Sequence, residues 1–341
     1  MKSRPLVSIV ILNWNGRKRL GKCLASLDKT TYLSKEIVVV NNGSMDDSAI
    51  FLKKKYPKVK VIELKKNVGY ARGKNIGVAK AKGKYVLALD NDTVVTPNFL
   101  ESLVDIMERD KSIGIIQPQI RSMINREVLD SVGSYLTNTG FLYHFGYLKP
   151  YKLPIYNKTL FPYSIKGAGF MIRRLDYLKL RGLDEDFKCY VEETDLCHRM
   201  WLFGKKVMYY PDSVIYHYGG GDSKLLTKDE LTMFRSYRNR IMSYLKNLSI
   251  KSLLIIMPIH LVFCEAFVVM TLFHGMFKRA LWVQAGIIEG FLQLPKIIKK
   301  RHFIQKKIRR VSDDELAPLI MKNPRPSYYV YFFNTPEKFS D

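Results

Sequence analysis

From Val7 to Asp90 the chain alternates between short β-branched runs and polar stretches of helical length. Such alternation is typical of βαβ units, in which parallel strands form one sheet and helices cover it. The sequence therefore predicts an α/β fold with a mostly parallel, Rossmann-like central sheet and helices on both faces. The segments, in chain order, are VSIVILN, Arg17 to Leu27, EIVVV, Asp46 to Tyr56, KVKVIEL, Ala71 to Ala81 and YVLALD.

Polar residues follow three of these strands, at 13–15, 41–44 and 90–92. In open parallel sheets ligands bind beyond the carboxyl ends of the strands. We therefore expect a binding site at this edge of the sheet.

The organisation changes twice further along the chain. From 115 to about 172 the sequence is rich in Gly, Tyr and Pro, which predicts more strands and loops. From roughly Arg235 it becomes helical and strongly apolar, and then basic. We place the boundary near Asp229, which gives an α/β domain of residues 1–229 and a helical region with a tail, residues 230–341.

Two carboxylates, Asp90 and Asp92, end the apolar strand YVLALD. Side chains two apart on a strand share a face, so two like charges meet there and need a cation. Oxygen ligands of this kind suit Mg²⁺ or Mn²⁺ shared with a diphosphate. A solvated turn after a strand is the alternative.

A second acidic cluster contains Glu192, Glu193 and Asp195, directly before an apolar helix face. One of these carboxylates is a candidate general base for a hydroxyl group; helix capping is the alternative. His217 ends another predicted strand and is a candidate ligand for Mn²⁺, although a lone histidine is more often structural.

The stretch NVGYARGKNIG places glycines at a spacing of four and leaves Arg72 and Asn75 to approach a bound nucleotide. An ordinary helix start explains the same residues. The glycines Gly219 to Gly221 fit either a flap over a diphosphate or a simple turn.

Taken together, these segments resemble family 2 glycosyltransferases of the GT-A fold, particularly the rhamnosyltransferase-like and galactofuranosyltransferase-like branch. The resemblance covers about residues 5–222, and its elements occur in the family's order. They are SIVILNWNG, VVVNNGSMDDS, NVGYARGKNIGVAKAKGKYVLALDNDT, GAGFMIRR and LDEDFKCYVEETDLCHRMWLFGKKVMYYPDSVIYHYGG.

The resemblance implies a role for each candidate residue. Asp90 and Asp92 become the DxD motif, with Asp92 the direct metal ligand, and His217 completes the metal site. Glu193 becomes the catalytic base, while Glu192 and Asp195 contact the acceptor or orient the base. The positions that hold the pyrimidine and ribose are Asn13, Asn42 and Asp46.

The implied reaction is inverting transfer of a sugar from a UDP- or dTDP-sugar to a hydroxyl of a glycan. Two residues depart from the family's pattern: Asn41 stands where Asp is common, and Glu193 stands where Asp is commoner. The first bears on base recognition and the second on acceptor geometry. A sugar nucleotidyltransferase and a non-catalytic binding module of the same fold are the competing interpretations.

Lys and Arg outnumber Asp and Glu by 56 to 31, which implies an anionic partner. Residues 253–273 form an apolar stretch flanked by basic residues, and KIIKKRHFIQKKIRR follows a second apolar stretch. We expect peripheral or monotopic attachment to an anionic membrane at the cytoplasmic face, and hence a lipid-linked acceptor. A homodimer, or packing of these helices on the domain, is the alternative. Nucleic-acid binding is not expected, because no recognised binding fold accompanies the basic tract.

Overall fold

The computed structural model describes residues 4–219 and 229–329. One mixed sheet forms its centre, in the strand order β3-β2-β1-β4-β10-β6-β11-β5, with β7 added to β6. Strands β8 and β9 form a separate hairpin. The strands are β1 Val7–Asn13, β2 Lys35–Asn42, β3 Lys60–Leu64, β4 Tyr85–Asp90, β5 Thr93–Val95, β6 Ile113–Ser122, β7 Leu129–Ser131, β8 Gly133–Leu136, β9 Leu142–Phe145, β10 Gly169–Arg173 and β11 Lys206–His217.

The first four strands pair in parallel, as the sequence predicts. Strand β10 then enters antiparallel between β4 and β6. Strand β5 also pairs antiparallel, with β11. This mixed sheet with helices is a GT-A-like α/β fold, so the predicted fold class is confirmed.

Eleven α-helices lie in the described residues. They are α1 Arg17–Leu27, α2 Ser48–Lys55, α3 Tyr70–Lys80, α4 Phe99–Arg109, α5 Arg174–Lys179, α6 Glu192–Leu202, α7 Asp229–Asn247, α8 Ile250–Phe273, α9 Phe277–Leu292, α10 Leu294–Phe303 and α11 Asp313–Ile320. Short 3₁₀ turns cover Pro154–Tyr156 and Glu185–Phe187, and a π turn, Ile304–Ile308, extends α10.

Successive residues of the central strands enter different cores, one on each face of the sheet. Ile9 and Ile11 of β1 belong to one cluster, whereas Val10 belongs to the other. Because strand side chains alternate between faces, a strand covered on both sides has to be apolar throughout. The run VSIVIL therefore has little polar content, and both faces are covered as predicted.

The helical region is packed on the α/β domain at one end. Met233, Tyr237 and Ile241 of α7 are buried in the same cluster as Leu196 and Met200 of α6. The prediction of a boundary near Asp229 coincides with the start of α7. Because one core runs across this position, the two segments are joined by packing and not only by the chain. The predicted tail beyond 329 lies outside the described residues.

Helices α8 to α10 keep a large apolar surface exposed. Within the described ranges, α8 is the one helix with the length and hydropathy that a bilayer crossing needs, and 22% of its most apolar window is buried. Three residues separate it from α9. The exposed residues, here called the apolar face, are Ile250, Leu254, Ile255, Ile259, Val262, Val269, Leu272, Phe273, Phe277, Leu281, Trp282, Ile288, Phe291, Leu292, Leu294 and Ile298.

Candidate active site

Three of the predicted site residues meet at one edge of the sheet. The ligand atoms of Asp90, Asp92 and His217 all lie within 4.8 Å of one another. Strand pairing explains this, because β5 follows the Asp90–Asp92 turn and pairs with β11, which sets His217 opposite Thr93. Two carboxylates and an imidazole are suitable ligands for Mn²⁺, so the residues fit the metal that the sequence implies.

His217 is held on both of its ring nitrogens. Nε2 lies 3.3 Å from Oδ1 of Asp92, and Nδ1 lies 2.9 Å from Oδ2 of Asp130 on β7. Burial lowers the pKa of His217, but the bonds and charges of the two aspartates outweigh it and raise that pKa to about 10. Asp130 can thus orient the imidazole for a metal bound at Nε2. No pattern in the sequence indicated this role of Asp130.

Asp90 has a buried cation beside it that the sequence analysis missed. Lys74 is 1% exposed, and its Nζ lies 3.1 Å from Oδ1 of Asp90. The Tyr70 hydroxyl lies 3.1 Å from the same oxygen. Residues four apart share a helix face, so the spacing of Tyr70 and Lys74 on α3 was an available signal.

Arg72 and Asn75, predicted to approach the nucleotide, have other contacts. Asn75 donates to the carbonyl of Leu183 and accepts from the Tyr177 hydroxyl, which fixes the segment between α5 and the 3₁₀ turn Glu185–Phe187. Arg72 is exposed and lies 3.8 Å from Glu185. The amide of Asn75 is thus engaged in holding a loop, and a role of Arg72 and Asn75 toward the nucleotide stays a prediction. Lys74, which lies between Arg72 and Asn75 in the sequence, is the residue that contacts Asp90 of the metal site.

Glu192 and Glu193 begin α6; Glu192 is buried, whereas Glu193 is half-buried. A Cβ built at Gly167 would lie 3.4 Å from Oε1 of Glu193 and 3.3 Å from the Tyr70 hydroxyl, which also reaches Asp90. Burial raises the pKa of Glu193, and burial together with the Glu193 charge raises that of Glu192 well above its usual range. A raised pKa makes a carboxylate a stronger base, which favours a role in proton transfer.

Asp195 does not share this environment. It is fully buried, accepts two bonds from Arg199, and lies 3.0 Å from Nζ of Lys246 on α7. Ser243 and Asn247 of α7 donate to its other oxygen. A carboxylate with this many partners is closed to an acceptor, so that part of the prediction needs correcting. From this position Asp195 can orient α6 through its ion pairs with Arg199 and Lys246.

The residues predicted to hold the base and ribose lie at the ends of β1 and β2. Asn13 is fully buried and bonds Asn41, Ser48 and Asn91. The roles of Asn13, Asn42 and Asp46 toward a nucleotide stay predictions.

Two neighbours of this network support local turns. Asn42 accepts from the backbone of Val68 in the loop before α3. Asp46 accepts from the backbone of Arg17 and of Ser48, at the starts of α1 and α2.

The mixed sheet and the acidic site at its edge define the GT-A class of fold, and the comparisons agree. The model of glycosyl transferase family 2 matches residues 8–208, so the chain belongs to this family. Curated relatives include the glycosyltransferase GlyG of Streptococcus pneumoniae, 24% identical over 67% of this chain and 76% of the relative. An uncharacterized glycosyltransferase of Haemophilus influenzae is 28% identical, over only 37% of this chain and 40% of the relative.

Solved structures share the fold at low identity. TarS 1-349 of S. aureus in complex with UDP-GlcNAc has a TM-score of 0.58 and 16% identity, and covers 88% of this chain and 87% of that one. GalNAc-T7 with UDP, GalNAc and Mn²⁺ has a TM-score of 0.57 and 20% identity, over 72% of this chain and 48% of that one. The rhamnosyltransferase-like or galactofuranosyltransferase-like branch stays a prediction.

Proposed function

We propose that the protein is an inverting glycosyltransferase that uses a nucleotide diphosphate sugar. The observation that carries this proposal is the cluster of Asp90, Asp92 and His217, with Glu193 close to it. Tyr70 contacts Asp90 of this cluster, and both Tyr70 and Glu193 lie beside Gly167. This arrangement combines a metal site for a diphosphate with a half-buried candidate base. The known structures of TarS with UDP-GlcNAc and GalNAc-T7 with UDP and Mn²⁺ support a donor of this class.

In the proposed reaction the acceptor oxygen attacks the anomeric carbon from the side opposite the leaving diphosphate. Glu193 takes the hydroxyl proton as the new C–O bond forms, and the nucleoside diphosphate departs with the bonding electrons. A divalent ion held by Asp92, Asp90 and His217 would offset the charge of the diphosphate. Lys74 keeps Asp90 in place through their contact of 3.1 Å. One displacement inverts the anomeric centre.

The test is nucleoside diphosphate release from a panel of UDP-, dTDP- and GDP-sugars with Mn²⁺ or Mg²⁺, with and without a membrane extract that supplies the acceptor. Release from one donor should be lost in Asp92→Asn and in Glu193→Gln, while donor binding survives in Glu193→Gln. Asp28→Asn is the matched control, because this carboxylate is exposed and distant in the fold, at the end of α1. Donor binding without release in the wild type would favour the non-catalytic module instead, and unchanged release in Glu193→Gln would refute its role as base.

We further propose that the acceptor is lipid-linked and that the protein acts at the cytoplasmic face of a membrane. The apolar face on α8 to α10 supports this, since it is far larger than isolated surface hydrophobics and a basic tract follows it in sequence. Monotopic insertion fits better than a crossing, because α8 and α9 are joined by three residues.

Flotation with vesicles of phosphatidylglycerol and phosphatidylcholine tests this attachment. The double variant Leu254→Glu, Val262→Glu changes two residues of the apolar face. It should no longer float with the vesicles, while its release of nucleoside diphosphate from a soluble donor without vesicles is kept. Leu33→Glu is the control, because this residue is even more exposed, at 87% against 70% for Leu254 and 67% for Val262, but lies in the α/β domain. Self-association of the wild type without vesicle binding would favour the homodimer over the membrane.

A further inference from the structure

The loop that leads into the catalytic helix α6 has an unusual backbone. Lys188, Tyr190 and Val191 all have positive φ angles, of 62°, 71° and 69°. Non-glycine residues rarely adopt this region, and a β-branched residue such as Val191 is an outlier there. Such a conformation persists only where surrounding contacts enforce it. Residues 187–191, here called the base loop, directly precede Glu192 and Glu193.

One side chain of the helical region supplies many of those contacts. Asn239 on α7 is fully buried. Its Nδ2 donates toward the carbonyls of Phe187, Cys189 and Tyr190, at 3.1, 2.9 and 2.8 Å. The neighbouring Arg238 donates to the carbonyl of Asp186 at 2.8 Å. Three carbonyls converge on a single amide because the left-handed residues turn the chain back on itself.

The opposite side of the base loop is bound to the start of α3. The carbonyl of Lys188 accepts from the backbone N–H groups of Tyr70 and Ala71, at 3.0 and 3.3 Å. Tyr70 in turn contacts Asp90 of the metal site. The base loop is therefore held between α3, which contacts the metal site, and α7, which begins the helical region.

We propose that Asn239 is a positioning residue that holds the base loop in its strained conformation and so sets Glu193 against the acceptor hydroxyl. This rests on the proposed function of Glu193 as base. Its consequence is that α7 serves catalysis as well as packing, so that the helical region is more than a membrane attachment.

Two substitutions test the role of the amide in the full-length protein. Asn239→Ala removes the side chain, whereas Asn239→Asp keeps its shape but loses the N–H donors and sets a carboxylate against three carbonyls. Ile241→Ala is the control, since this α7 residue is fully buried and lies against Gly290 of α9, and its aliphatic side chain donates no hydrogen bond to the base loop. Melting midpoints establish how far each variant is destabilised.

The first readout does not depend on activity. Cys189 lies in the base loop and is partly buried, whereas Cys23, Cys197 and Cys264 are buried. Both Asn239 variants should raise the rate of maleimide labelling at Cys189, measured by mass spectrometry, at least tenfold above the wild type and Ile241→Ala. Equal labelling rates in all four proteins would overturn the proposal, even if no donor is turned over and the proposed function fails.

The second readout separates positioning from binding. Both Asn239 variants should lower kcat about 10²-fold, the loss expected for a misplacement of about 1 Å, with the donor dissociation constant in Mn²⁺ unchanged. Faster labelling with an unaltered kcat would refute positioning. Full activity in Asn239→Asp would also refute it, because the side chain would then act only by filling space.

Discussion

Lys246→Met should destabilise the protein through the buried charges that join α6 to the helical region. Nζ of Lys246 lies between Asp184 and Asp195, and all three side chains are at most 6% exposed. Losing one partner of a buried pair typically costs about 3–5 kcal/mol. Arg199 still faces Asp195 and Lys300 still faces Asp184, so we expect the lower end, about 3 kcal/mol.

For a chain of 341 residues, at roughly 1.4 °C per kcal/mol, this loss lowers the melting midpoint by roughly 4 °C, measured by differential scanning fluorimetry in mild detergent. Lys251→Met is the matched control. Its ion pair with Asp314 has side chains 68% and 72% exposed, and exposed pairs contribute about 0–1 kcal/mol. Equal shifts in the two variants would show that burial does not set the magnitude.

The same ion pairs predict a pH dependence. Burial raises the pKa values of Asp184 and Asp195, but the nearby cations outweigh it and hold both below their usual range. Acids with depressed folded pKa values stabilise the protein above their unfolded pKa, and this contribution is lost as pH falls through the folded values. The difference between wild type and Lys246→Met should therefore be constant from pH 6 to 8 and shrink below about pH 4. A difference that grew on acidification would refute this assignment.

Three further outcomes are expected. In a profile of kcat against pH, the midpoint of the acid limb should lie above the usual glutamate pKa of about 4.3, because burial raises the pKa of Glu193. A midpoint at or below about 4.3 would contradict this expectation. Asp130→Asn should weaken Mn²⁺ binding by about 10–100-fold in calorimetry, because it removes the charge that orients His217; unchanged affinity would contradict this. Gly167→Ala should lower kcat at least about tenfold, because its Cβ would crowd the Tyr70 hydroxyl and the Glu193 carboxylate; wild-type turnover would count against the assigned geometry.

The secondary-structure elements and the chemistry of the strand ends could be predicted from local sequence patterns. The short, largely apolar runs of β1, β2 and β4, with helical stretches between them, sufficed to predict the α/β fold, because strands buried on both faces are apolar throughout. The pair Asp90 and Asp92 was visible because both follow one strand. His217 was visible only as a candidate, since its partners are distant along the chain.

Which polar residues face one another depends on the packing of segments that are far apart in sequence. Asp130 is 87 residues from His217 along the chain, and no periodicity links them. Asp195 shares the acidic cluster of Glu193 in sequence, yet it is two positions further along α6, and on a helix residues two apart do not share a face. It therefore meets Lys246, while Glu193 meets the site. Asn239 gains its importance only because α7 packs across the base loop, a contact that no local pattern encodes.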